Sequence, residues 1–248
     1  MTHDLRTDGT DVTPHPIARS NPDAPVRIDV AMPRDLYDRL TDHDEAPRSR
    51  YETATGRAEF LAEPGVGHEW RAWKLSALFS RIEQMLEDAG RPLELLVAGA
   101  SRLLSDDGAF EPDTCLFLDP ARARAAMRVD GYLDTRSGAP VPDLVVEIDR
   151  SVDSSGKLAP YFRMGVREAW TWSRTDGACI WVAAWTAREA AFVRADRSRV
   201  LPGLDRKALD RLLASRTPPE ASRRARTLAQ QVAHAMPGAD HQDPIGER

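Results

Sequence analysis

The chain has 248 residues, 42% of them hydrophobic and six of them Trp, enough to bury a substantial core in one large domain or two small ones. A formal net charge of −5 excludes a protein that coats nucleic acid through a global basic field, but not an enzyme with a local arginine-lined groove. Cys115 and Cys179 are the only cysteines, and each falls in an apolar strand-like run. That pattern fits reduced core thiols better than a disulfide, and no C-x-x-C or histidine-rich spacing points to structural zinc.

Residues 1–25 are rich in Pro, Asp, Thr and Asn without periodicity and are expected to be disordered. They hold no apolar signal core, and no apolar run approaches the roughly 20 residues of a membrane span, so no membrane contact and a cytoplasmic location are expected. A short helix is predicted over 32–40, with Pro33 in its first turn. A hairpin follows over 51–61, turning near Thr55 and Gly56. From His68 the sequence becomes an amphipathic helix, with Trp70, Trp73, Leu75, Leu78, Ile82 and Leu86 at three- and four-residue steps and Gly90 as its stop.

Three strands are expected next, over 93–104, 114–120 and 143–148, the last so continuously apolar that both its faces should be covered. A helix over 155–164 leads to strands 168–174 and 178–186 around the turn Thr175-Asp176-Gly177. Residues 200–213 read as a turn and a closing helix. A polar helix after Pro219 carries Arg223, Arg224 and Arg226 on a solvated face. The order predicts an α/β fold, a central mixed β-sheet flanked by helices with an N-terminal hairpin. The expected organisation is a disordered segment 1–25, a domain 26–214 and a polar helical tail 215–248.

Chemistry concentrates between Pro142 and Trp170. A buried strand delivers Glu147, and a helix soon afterwards carries Lys157. Of 34 basic residues only Lys74, Lys157 and Lys207 are lysine, so a compact ammonium at 157 stands out against an arginine background. Two Pro-Asp pairs offer a partner for Glu147. Asp143 lies on the same strand, roughly 13 Å away, too far to share an ion. Asp113 begins the preceding strand, and pairing of the two strands would bring it within the ~5 Å of cross-strand neighbours. Two such carboxylates repel, a cation relieves the repulsion, and hard oxygen ligands suit Mg²⁺ or Mn²⁺. Lys157 would stabilise developing negative charge or orient the attacking water.

The segments YETATGRAEFL, EPDTCLFLD, PDLVVEIDRS and DSSGKLAPYFRMGVREAW, closed by VLPGL, occur in order over roughly 30–214. In that order and spacing the chain resembles the Uma-two family of restriction endonuclease-like proteins, within the PD-(D/E)xK nuclease superfamily. The resemblance implies a restriction-endonuclease-like core, Asp113 as the "PD" aspartate, Glu147 as the third-strand acid and Lys157 as a lysine relocated onto the following helix. It also makes Glu52 a possible further acid upstream of the sheet. Asp149 stands where the superfamily pattern has lysine, and Pro160 falls inside the helix of Lys157. Asp153 reads as an N-cap, Tyr161 as packing or a brace for the lysine, and His68 as a cap or surface group, with contact to a phosphate or to metal-bound water as its functional alternative.

The expected function is Mg²⁺- or Mn²⁺-dependent hydrolysis of DNA phosphodiester bonds by metal-activated water. A homodimer through strand 178–186 would address two DNA strands. The alternatives are a catalytically inactive nuclease-like binding module and a metal-dependent RNase.

Overall fold

The computed structural model describes residues 27–41, 49–61, 66–91, 96–99, 101–148, 155–185 and 190–236. The disorder expected for 1–25 and the roles considered for Asp149 and Asp153 fall outside these residues. The architecture is mixed α/β, as the sequence predicts, but it contains two mixed six-stranded sheets where one central sheet was expected. The first sheet runs in the order β1 (Arg27–Ala31), β3 (Arg57–Leu61), β2 (Ser49–Glu52), β6 (Gly108–Phe110), β5 (Leu103–Ser105) and β8 (Leu133–Asp134). The second runs β12 (Ala190–Ala195), β11 (Gly177–Trp185), β10 (Glu168–Ser173), β9 (Leu144–Ile148), β7 (Thr114–Phe117) and β4 (Leu96–Gly99). The N-terminal hairpin β2–β3 is therefore part of a sheet of its own rather than an addition to the central one.

The second sheet positions the site. All five residues of β9 are buried, and their alternation divides two cores. Leu144, Val146 and Ile148 join the larger core with α2 (Val66–Asp88), α5 (Arg206–Leu213) and α6 (Pro218–Ala235). Val145 belongs to the second core, with Ala123 of α3 (Pro120–Ala126) and Tyr161 of α4 (Ser155–Met164). β10 lies parallel to β9, with α4 as the crossover, whereas β7 pairs antiparallel to β9.

α2 forms where the three- and four-residue spacing predicts, and Leu75, Leu78, Phe79, Ile82 and Leu86 are its buried stripe. Burying each such side chain contributes about 2 kcal/mol. The helix ends in a Schellman arrangement in which Gly90, at φ 68°, donates to Glu87 O and Arg91 donates to Leu86 O. Lys74 is buried on this helix. Its ammonium donates to Leu213 O and Ser215 O at 2.6 and 2.7 Å, capping the C-terminal end of α5, and burial, with Arg71 adding to it, lowers its pKa to about 8.

α1 (Arg34–Thr41), α4, β10, β11 and α5 form close to their expected positions. The run 93–104, expected as one strand, supplies β4 to one sheet and β5 to the other. The 120–142 connection contains α3, capped by Asp119, then β8 and a 3₁₀ turn. β6 and β12 are further strands without a counterpart in the sequence reading. The helix expected as a polar tail buries Ala221 and places Ala225, Leu228, Ala229, Val232 and Ala233 in the larger core, while Arg223 and Arg226 stay exposed. Gly203 of VLPGL is required there, because it holds φ at 89° and a Cβ would lie 2.5 Å from Gln231 O. β11, which takes up the run expected as an interface, lies inside the sheet between β10 and β12, and of its large side chains Trp185 is the widely exposed one. Among the described residues, no helix is long and apolar enough to cross a membrane.

Candidate active site

The pairing of β7 with β9 sets Thr114 opposite Val146, with Asp113 immediately before β7 and Glu147 immediately after Val146 in β9. Glu147 is 3% exposed, and both its oxygens are engaged. Lys157 Nζ donates to Oε2 at 2.6 Å, and the Tyr161 hydroxyl donates to Oε1 at 2.5 Å. Both donors project from α4 one turn apart, because positions 157 and 161 share a helical face. Tyr161 therefore braces the carboxylate rather than the lysine. Its ring also packs edge-on against Phe110 of β6, at 5.7 Å between centroids, which joins the first sheet to the site.

Asp113 is held on both oxygens. Its Oδ2 accepts the backbone N–H of Ile148 at 2.6 Å, and its Oδ1 meets His68 Nε2 at 2.8 Å. His68 is buried in the first turn of α2, and its Nδ1 lies 3.2 Å from Glu69 Oε1. The sequence reading gave His68 a cap or surface role first, with a phosphate or metal-bound water as the alternative. The structure uses it to hold Asp113, across 45 positions that no local pattern connects.

Electrostatics follow from this packing. Burial raises the Glu147 carboxyl to about 6, opposed by the Lys157 charge and reinforced by the negative charge of Asp113. Burial and the neighbouring Glu147 push the Tyr161 hydroxyl far above its ordinary range, so it remains a donor. Burial also pushes the Cys115 thiol upward, with Glu147 adding to the effect, so this buried cysteine stays protonated and unreactive.

The structure does not bring Glu52 to this cluster. It ends β2, is exposed, and accepts from the Thr55 hydroxyl at 2.8 Å in its own turn. Asp143, the other Pro-Asp aspartate, is wholly buried just before β9, at the end of the strand away from Glu147. It accepts from Leu118 N, Arg122 and Arg167. Pro160 is accommodated inside α4 as its sixth residue.

Among the described residues no group of three or more His, Cys, Asp or Glu could hold a metal, so Asp113 and Glu147 would have to share a divalent cation with water. The pair fits that role. Burial raises the Glu147 carboxyl and the negative charge of Asp113 adds to that rise, and a hard cation would relieve both.

A comparison with functionally curated proteins gives no match. Among solved structures the chain is similar to one described as "a putative nuclease belonging to DUF820" from Anabaena variabilis ATCC 29413, with 14% identity, coverage of 80% of this chain and 99% of that one, and a TM-score of 0.44. The sequence profile of Uma2, described as "Putative restriction endonuclease", matches residues 34–204. That span covers well over half of the sequence and includes Asp113, Glu147, Lys157, Tyr161 and His68, and the chain belongs to the Uma2 family.

Proposed function

We propose that the protein is an endonuclease of the PD-(D/E)xK type that hydrolyses DNA phosphodiester bonds with Mg²⁺ or Mn²⁺ held by Asp113 and Glu147. One observation carries this reading: Glu147, buried in β9, meets the Lys157 ammonium at 2.6 Å while also feeling the negative charge of Asp113, whose carboxylate accepts from the next residue, Ile148. Family membership supports nuclease chemistry in general. When bound, the cation supplies Lewis acidity and makes a water molecule a stronger nucleophile at neutral pH.

The remaining work belongs to the chain. Lys157, its side chain 13% exposed, is anchored on Glu147 and presents a positive charge to the negative charge that develops on the phosphoryl oxygens. An arginine would spread that charge over a broad plane. Tyr161 fixes one Glu147 oxygen, and Ile148 N–H with His68 fixes Asp113, so the carboxylates need not reorganise during the reaction. The buried setting strengthens each of these interactions relative to water.

The test is nicking of supercoiled plasmid by the full chain with Mg²⁺ or Mn²⁺. Wild type should nick, and Lys157→Ala should lose about 10²- to 10³-fold in rate. Equal activity in the two proteins removes the reading. Running single- and double-stranded DNA and RNA in parallel decides the substrate, and cleavage confined to RNA would make it an RNase. Mn²⁺ calorimetry that shows no dependence on Glu147 would leave a nuclease-like binding module. Duplex cleavage calls for one site per strand, so sedimentation of the active species should report a homodimer.

A further inference from the structure

We propose that His68 is a positioning residue for Asp113, fixing the plane of its carboxylate so that Asp113 and Glu147 can share one divalent cation. The inference rests on the metal-dependent reading above and goes beyond it by assigning a role outside the Asp–Glu–Lys set.

An ionised carboxylate only accepts hydrogen bonds, so the 2.8 Å contact between His68 Nε2 and Asp113 Oδ1 makes Nε2 the donor. The Ile148 N–H, 2.6 Å away, restrains Oδ2, and the His68 contact adds a restraint on Oδ1 against rotation about the Cβ–Cγ bond. With donors on both oxygens the remaining lone pairs acquire fixed directions.

The histidine is itself well held. The other nitrogen lies 3.2 Å from Glu69 Oε1, an acceptor as well, so the imidazolium form donates to both carboxylates while the neutral ring that donates to Asp113 keeps only that one of the two contacts. The helix beneath it is anchored by Leu75, Leu78 and Phe79 in the larger core and by Lys74 at the end of α5. A rigid helix thus sets the position of a donor that reaches a strand 45 residues away. Partners of this kind behind metal-binding side chains typically contribute 10- to 100-fold to metal affinity.

The experiment is Mn²⁺ calorimetry on the full-length protein, comparing wild type with His68→Phe, His68→Gln and Glu147→Gln. Phe keeps the ring volume without the donor, whereas the Gln amide restores a donor near the position of Nε2. His68→Phe is expected to weaken Mn²⁺ binding about 10- to 100-fold, and His68→Gln to recover most of the loss. Thermal unfolding verifies that both variants fold, and His68→Leu replaces Phe if that variant does not. Wild-type affinity in His68→Phe overturns the proposal. So does equal weakening in His68→Gln and His68→Phe, which would mean that ring packing rather than the donated hydrogen bond matters. Binding that requires Glu147 but ignores His68 overturns this inference alone. A wild-type protein that binds no Mn²⁺, or binds it regardless of Glu147→Gln, overturns the metal reading together with it.

Discussion

The two ends of β9 treat buried acids in opposite ways. At the start, Asp143 takes the Leu118 N–H and the guanidinium groups of Arg122 and Arg167. Beside it, Glu168 opens β10 and receives the Trp170 indole N–H and the backbone N–H groups of Arg199 and Val200, at 2.6, 2.8 and 3.1 Å. Each acid there is surrounded by donors, and no second carboxylate is among their hydrogen-bond partners. At the far end Glu147 has Lys157 and Tyr161 but also faces the negative charge of Asp113. A carboxylate buried to hold the fold is given every donor it can use, because an unmatched buried charge is expensive. A carboxylate kept opposite another is under electrostatic stress that a ligand can relieve, and such stress marks functional sites.

The largest effect that tests this contrast belongs to the structural end. Glu168→Ala would strand three N–H donors around a wholly buried position and should lower stability by about 3 kcal/mol, read from urea unfolding. The fraction that remains folded should nick plasmid at the wild-type rate. If the folded variant were inactive, the division of labour between the two ends would fail.

The catalytic end predicts a pH signature instead. Glu147 is raised from 4.5 to about 6, chiefly by burial. A carboxyl raised in the folded state favours folding most when protonated, so its contribution is complete below 4.5 and disappears as pH rises through 6. In metal-free protein, the stability of wild type relative to Glu147→Gln should therefore fall by about 2 kcal/mol across that window. Mn²⁺ at about 100 times its Kd should restore about 2.7 kcal/mol at pH 7 to wild type and much less to the variant. A flat difference between pH 4.5 and 6 would show that burial of Glu147 is already fully compensated by Lys157, and the contrast between the two ends would vanish.

Much of this site was legible because it is written in strand arithmetic. Asp143 and Glu147 are separated along one strand, whereas Asp113 comes to the Glu147 end of β9 from across the strand pair, accepting from the Ile148 N–H. His68 was not legible as a partner of Asp113, because nothing in α2 itself signals what its first turn will touch. The second sheet was hidden for related reasons. The run 93–104 is mostly apolar, so its crossing from β4 to β5 leaves only the stretch Gly99, Ala100, Ser101 and Arg102 as a clue. β6 has three residues, too few for an alternation to declare itself. The buried face of α6 is largely alanine at positions 221, 225, 229 and 233, a four-residue repeat that reads as polar when the intervening arginines dominate the composition.

The smallest expected effect separates bracing from packing at Tyr161. Its hydroxyl gives Glu147 Oε1 a 2.5 Å hydrogen bond, while its ring is fully buried against Phe110. Tyr161→Phe retains the ring and deletes only the donor. If the hydroxyl serves packing alone, little should change. If it stabilises the ionised carboxylate, its loss should cost about 1.5 kcal/mol at pH 7, the value of a buried hydrogen bond to a charged group. The same loss raises the Glu147 carboxyl beyond about 6, so the fall in stability should extend to higher pH than in wild type. A wild-type pH curve in Tyr161→Phe would mean that Lys157 alone keeps Glu147 ionised, and α4 would then contribute one working side chain to the site rather than two.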